Sequence, residues 1–115
     1  MKLIEALPEF SAELQSCLST LGREDIAVQV PEVEIERYTY DNGAKAAYIY
    51  VQSPRLLNVA EVNIIGIKYG ETIEVEHRYW VFVDTDNFGR LTGIELLNCG
   101  EVVAALSKII APELL

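Results

Sequence analysis

Residues 84–95 read DTDNFGRLTGIE, with carboxylates at the first, third and twelfth places (Asp84, Asp86, Glu95) and Gly89 at the sixth. That spacing makes up most of a calcium-binding helix–loop–helix loop, which draws oxygens from positions 1, 3, 5, 7, 9 and 12. The same letters also spell a tight turn between two strands. The choice decides the fold, because the first reading demands a helix on each side and the second a strand on each side. The fifth place is Phe88, which supplies no oxygen. The flanks, YWVFV before and IELL after, are aromatic and aliphatic without a helical period. Asp86-Asn87-Phe88-Gly89 is turn chemistry: Asp and Asn side chains bond their own backbone, and glycine takes the positive φ of a bulged hairpin. The sequence therefore predicts a hairpin here.

Working outward, the period of apolar residues is 2 from Val33 onward. VEIERYTY and AAYIYVQ alternate, and Asp41-Asn42-Gly43 between them is a strong hairpin signal. SPRLLN reads as a loop, VAEVNIIGIK as a further strand, and YGE as a turn. TIEVEH alternates cleanly, with Ile73 and Val75 against Glu74 and Glu76. YWVFVD is apolar on both faces, which predicts a central strand covered on both sides. LTGIELL follows as the last strand of the run.

Helical periodicity brackets these strands. Phe10, Leu14, Cys17, Leu18 and Leu21 share one helical face, with Pro8 at the start and Gly22 at the stop. REDIAVQV adds a turn or two before Pro31. EVVAALSKII places Val102, Val103, Leu106, Ile109 and Ile110 at helical spacing. Every connection between strands is too short for a parallel crossover. The expected fold is therefore α+β: a mainly antiparallel meander of five or six strands, with an N-terminal and a C-terminal helix packed on it. The chain forms a single domain over residues 1–115, divided into a helical N-terminal extension (1–32), the sheet (33–98) and a C-terminal helix (100–111).

Half of the 115 residues are apolar, enough for a sizeable core with surface to spare for a partner. The net charge is −9, concentrated in residues 1–36, which carry eight acids and two bases. The nine cations are scattered, and phosphate binding needs them clustered, so nucleic acid is not an expected partner. The lopsided acidity instead suits a basic protein partner. No run of apolar residues reaches membrane-spanning length and no signal peptide is legible, so a cytoplasmic protein without membrane contact is expected. Cys17 and Cys99 have no metal-ligand spacing. Their reduced state follows from the expected compartment, and a Cys17–Cys99 disulfide stays open.

His77 is the lone histidine, beside Glu76, but no Ser or Cys lies in a nucleophile context, so a strand-end role outweighs a general-base role. Tyr38, Tyr40, Tyr48 and Tyr50 form the more informative set. A hairpin centred near Gly43 sets Tyr38 opposite Tyr48, on one face with Tyr40 and Tyr50, and leaves Ile35, Ala47, Ile49 and Val51 on the other. Such a tyrosine face is a candidate partner-binding patch. Arg90 and Arg78 are the candidate partners for Asp84 and Glu95.

Two blocks carry a resemblance. The first is Tyr40-Asp41 followed by Ala47-Tyr48-Ile49. The second is Val83-Asp84-x-Asp86-x-x-Gly89-Arg90-Leu91-x-Gly93-Ile94-Glu95-x-Leu97. Together, over about residues 37–100, they resemble domain of unknown function family 2283, a family of small prokaryotic domains. The resemblance implies a short antiparallel domain, no assigned activity, and an acidic window that is a shared structural hairpin. Members of that family are similar to partners of small toxin-like proteins, which implies an antitoxin-like binding role. The chain departs from the pattern at Lys45 and Ala46, where an acid commonly stands, and in its two helical extensions.

The expected function is a non-enzymatic protein-interaction domain, antitoxin-like toward a basic partner and able to form a homodimer through the C-terminal helix. No catalytic residue, metal or cofactor is expected. Two readings compete with it: a small metal-dependent hydrolase using Asp84, Asp86 and Glu95, and a purely structural homodimer.

Overall fold

The computed structural model describes residues 1–76 and 80–114. His77 and Arg78, singled out above, lie outside the described residues. The protein is α+β, with five α-helices and a six-stranded sheet among the described residues. The helices are α1 (Leu3–Ala6), α2 (Pro8–Thr20), α3 (Glu24–Ala27), α4 (Val59–Ile65) and α5 (Gly100–Ser107). The strands are β1 (Glu34–Asp41), β2 (Ala46–Gln52), β3 (Tyr69–Glu76), β4 (Trp80–Asp86), β5 (Leu91–Leu97) and β6 (Glu113–Leu114).

The first helix of any length, α2, begins at Pro8, whose missing N–H costs nothing in the first turn. It buries Phe10, Leu14 and Leu18, and the chain leaves it through Gly22 at φ +79. These side chains join Ile35, Ile49, Val83 and Ile94 of the sheet and Val102 and Leu106 of α5 in one apolar cluster. Complete burial of a leucine such as Leu18 contributes about 2 kcal/mol.

The strand order is β3-β4-β5-β2-β1-β6. It is not the expected meander. Strands β3, β4 and β5 form one, but β5 then pairs antiparallel with β2, so the β1–β2 hairpin is inserted beside the last strand. The sheet is mostly antiparallel and not purely so, because β6 runs parallel to β1 through Thr39–Glu113 and Tyr40–Leu114. Helix α5 supplies the reversal that lets the chain return in that direction.

Two local readings are corrected. VAEVNII is the helix α4, not a strand: the Asn58 side chain accepts a hydrogen bond from the Glu61 amide at 3.2 Å, and Gly66 ends the helix at φ +79. Cap and stop outweigh the β-branched letters between them. YGE belongs to β3, where Gly70 lies at a bulge against the Asp86 backbone, too close for any side chain.

The register of β1 and β2 overturns the single tyrosine face. Ile35 pairs with Val51, but Tyr38 pairs with Ile49 and Tyr40 with Ala47, because Glu36 is an extra residue in β1. One inserted residue inverts the facing of everything after it. Tyr38 and Tyr40 therefore turn inward with Ile35, while Tyr48 and Tyr50 turn outward beside Thr39 and Arg37. Tyr38 is completely buried; its hydroxyl donates to the Ile110 carbonyl at 3.0 Å and lies 3.0 Å from Ser107 Oγ, tying the end of α5 to the sheet.

Candidate functional site

The acidic window is a hairpin between β4 and β5. Asp86 Oδ1 accepts from the Phe88 amide (2.9 Å) and the Arg90 amide (3.0 Å), and Oδ2 accepts from Arg90 Nε at 2.8 Å. Gly89 carries φ +77, the left-handed turn its lack of a Cβ permits. Asp86 is 4% exposed and both of its oxygens are engaged by the turn itself. Arg90 therefore serves Asp86, not Asp84 or Glu95. Among the described residues, no group of His, Cys, Asp and Glu is arranged to hold a metal ion.

Asp84 faces the outer side of the sheet. Its Oδ2 accepts from the Tyr48 hydroxyl at 2.5 Å and its Oδ1 from Thr72 Oγ1 at 2.6 Å, and Tyr69 continues the chain at 2.7 Å from Thr72. Gly93 makes this possible. A Cβ there would fall inside the Tyr48 phenol, so the ring crosses β5 over bare backbone to reach β4. Burial first, then the bond to Asp84, push the Tyr48 hydroxyl well above the ordinary tyrosine value. It is a fixed donor and not an acid–base group near neutrality.

The rest of the outer face is aromatic and acidic. The Tyr48 and Tyr50 rings lie 4.7 Å apart, and the Arg37 guanidinium sits 3.8 Å above the Tyr50 ring. Trp80 and Phe82 are 6.0 Å apart, and Trp80 Nε1 donates to Glu74 at 2.9 Å. Strand β4 is interior to the sheet, yet Trp80 is 50% exposed, so this strand is covered on one side only. The expected tyrosine set is thus divided. Tyr48 and Tyr50 stay on the open face, Tyr38 has no exposed surface, and Tyr40 packs against the core margin.

Sequence reading missed the most exposed apolar segment. Leu56 is 97% exposed, Val59 72%, Ile64 84%, Ile67 56% and Tyr69 68%, and helix α4 buries no residue. The sequence reading places Leu56 in a loop, Val59, Ile64 and Ile67 in a strand, and Tyr69 in a turn. By contrast, α5, the expected dimer helix, turns Val102 and Leu106 into the chain's own core. Cys17 and Cys99 are free thiols, each raised above the ordinary cysteine value mainly by burial, so neither is a ready nucleophile.

Several acids of the N-terminal third are already partnered. Glu32 pairs with Lys2, Asp25 with Arg23, and Glu34 with the amino terminus. No protein-family model, curated protein or solved structure matches the chain. Among the described residues, no helix is long and apolar enough to cross a membrane.

Proposed function

We propose that the protein is a non-enzymatic interaction domain that engages another protein through the arm formed by residues 56–69. The observation that carries this is the arm's exposure: five large apolar side chains, from Leu56 to Tyr69, stand more than half in solvent, on and around a helix, α4, that buries no residue. Such a patch presents on the order of 600 Å² of apolar surface, at or above the largest patch of a typical monomer. A membrane surface fits it less well. Interfacial helices carry Lys and Arg on their polar face, whereas α4 carries only Glu61 as a charge and the chain is strongly acidic. The resemblance noted above adds an antitoxin-like role toward a basic partner.

Two other readings are weaker. A metal-dependent hydrolase would need Asp84, Asp86 and Glu95 to turn oxygens to one ion, but Asp86 is committed to its turn and Asp84 to Tyr48 and Thr72. A homodimer is favoured by the same arm more than by α5, which turns Val102 and Leu106 inward and leaves Ile109, past its end, as the chief exposed large apolar side chain nearby.

The test is the double variant Val59→Asp/Ile64→Asp, immobilised beside the wild type in an extract of the source cells. These positions make no buried contact, so unfolding stability should stay within about 0.5 kcal/mol. Proteins held by the wild type and released by the variant support the reading. Identical retention by both, or nothing retained by a wild type that light scattering shows to be a monomer, refutes it.

A further inference from the structure

The two margins of the sheet are treated differently. On the β1 side the chain closes its own edge: Lys2 bridges Glu34, the Ile35 amide donates to the Met1 carbonyl at 2.9 Å, and β6 pairs with Thr39 and Tyr40. On the other side β3 pairs only with β4, and among the described residues no backbone group of Glu71–Glu76 bonds to anything beyond it. Past the bulge at Gly70 this edge runs unbroken for six residues, about 20 Å of extended chain. A long open edge is a template for another strand. We infer that β3 receives an extended segment of a basic partner by strand addition, its alternate Lys or Arg side chains lying against Glu74 and Glu76.

Charge selects the occupant. Along the outer face β3 presents Thr72, Glu74 and Glu76, all exposed, with Asp84 and Glu95 on the strands behind them. Ile73 and Val75 point the other way, into the core. A second copy of β3 would set like charges side by side, which disfavours pairing of the chain with itself. A strand with cations at every second residue meets carboxylates instead, and Trp80, half exposed beside Glu74, offers a ring face to a guanidinium or ammonium group. Arg37 over Tyr50 already shows that geometry within this face. Backbone bonds supply affinity and the alternating side chains specificity, as in other strand additions. The apolar arm runs directly into β3 at Tyr69, so one partner can cover both.

This inference deepens the interaction reading and rests on it, yet fails separately. The probe is a fluorescein-labelled octapeptide of alternating lysine and valine, with a glutamate-for-lysine counterpart and a peptide of the same composition carrying its lysines in one block. Anisotropy at low salt reads affinity, and amide exchange reads the site. The alternating lysine peptide should bind and slow exchange within Glu71–Glu76. Glu74→Lys/Glu76→Lys should weaken it by about ten-fold or more and let the glutamate peptide bind. Glu9→Lys/Glu36→Lys, an equal charge change at two exposed residues elsewhere, should alter affinity by no more than about two-fold. No binding at millimolar peptide, equal weakening by both double variants, equal binding of the block peptide, or β3 amides already protected by a second copy would each overturn strand addition. In any of these cases, selective retention that the Val59→Asp/Ile64→Asp variant loses would still stand as evidence for the interaction reading.

Discussion

Replacing Asp86 by alanine separates a structural turn from a metal site. The Asp86 side chain is 3% exposed and accepts three hydrogen bonds, from the Phe88 and Arg90 amides and from the Arg90 guanidinium. Truncation strands two amides and a guanidinium whose side chain is only 21% exposed. A buried donor left without its acceptor costs about 1–3 kcal/mol. The turn is close enough to solvent for water to reach one amide, so about 3 kcal/mol in total is expected. For a chain of this size the urea dependence is about 1–1.5 kcal/mol per molar, and the unfolding midpoint should fall by about 2–3 M. Asp86→Asn keeps an acceptor for the amides and loses only the charge, so it should fall by about half as much. Urea titration followed by tryptophan fluorescence measures both. A midpoint drop under about 0.5 M for the alanine variant would refute the claim that Asp86 pins the hairpin. Repeating the wild-type titration with about 10 mM calcium supplies the second arm. An ion bound at 1 mM affinity would add about 1.4 kcal/mol, and no change is expected.

Gly93→Ala should displace the Tyr48 ring and break its bond to Asp84, lowering the melting temperature by roughly 5–10 °C, consistent with about 2 kcal/mol of overpacking. In a Tyr48→Ala background the same change should be close to neutral, and equal losses in both backgrounds would show that the ring is not what excludes the side chain. Tyr48 also carries a pH signature. Its folded-state value lies above the unfolded value of 10.0, so its stabilisation is fully present below pH 10 and is lost as pH rises from there through the folded value. In an alkaline titration of absorbance, its ionisation should lag behind the exposed tyrosines and vanish as a late step in Tyr48→Phe. A late step that persists in that variant would assign the effect to another residue.

What the sequence determined by itself is the local chemistry. The 84–95 window is a hairpin because Asp86 and Gly89 build a turn from neighbours within four residues, and no distant contact is needed to read it. Helix α2 was legible for the same reason, through Pro8, its apolar stripe and Gly22. The α+β class followed from the change of period at Val33.

Tertiary structure decided the facings and the margins. A single extra residue at Glu36 inverted the tyrosines of β1, and nothing in EIERYTY announces a bulge, because both faces of that strand carry plausible residues. The letters of VAEVNII suit strand and helix alike, and only with Asn58 and Gly66 in place did the backbone close as a helix that buries nothing. The return of β6 to β1 and the pairing of β5 with β2 join residues far apart in the chain, so they depend on which surfaces the rest of the fold leaves available. Exposure is likewise a property of the assembled chain: the same apolar letters that built the core at Ile94 were left in solvent at Ile64.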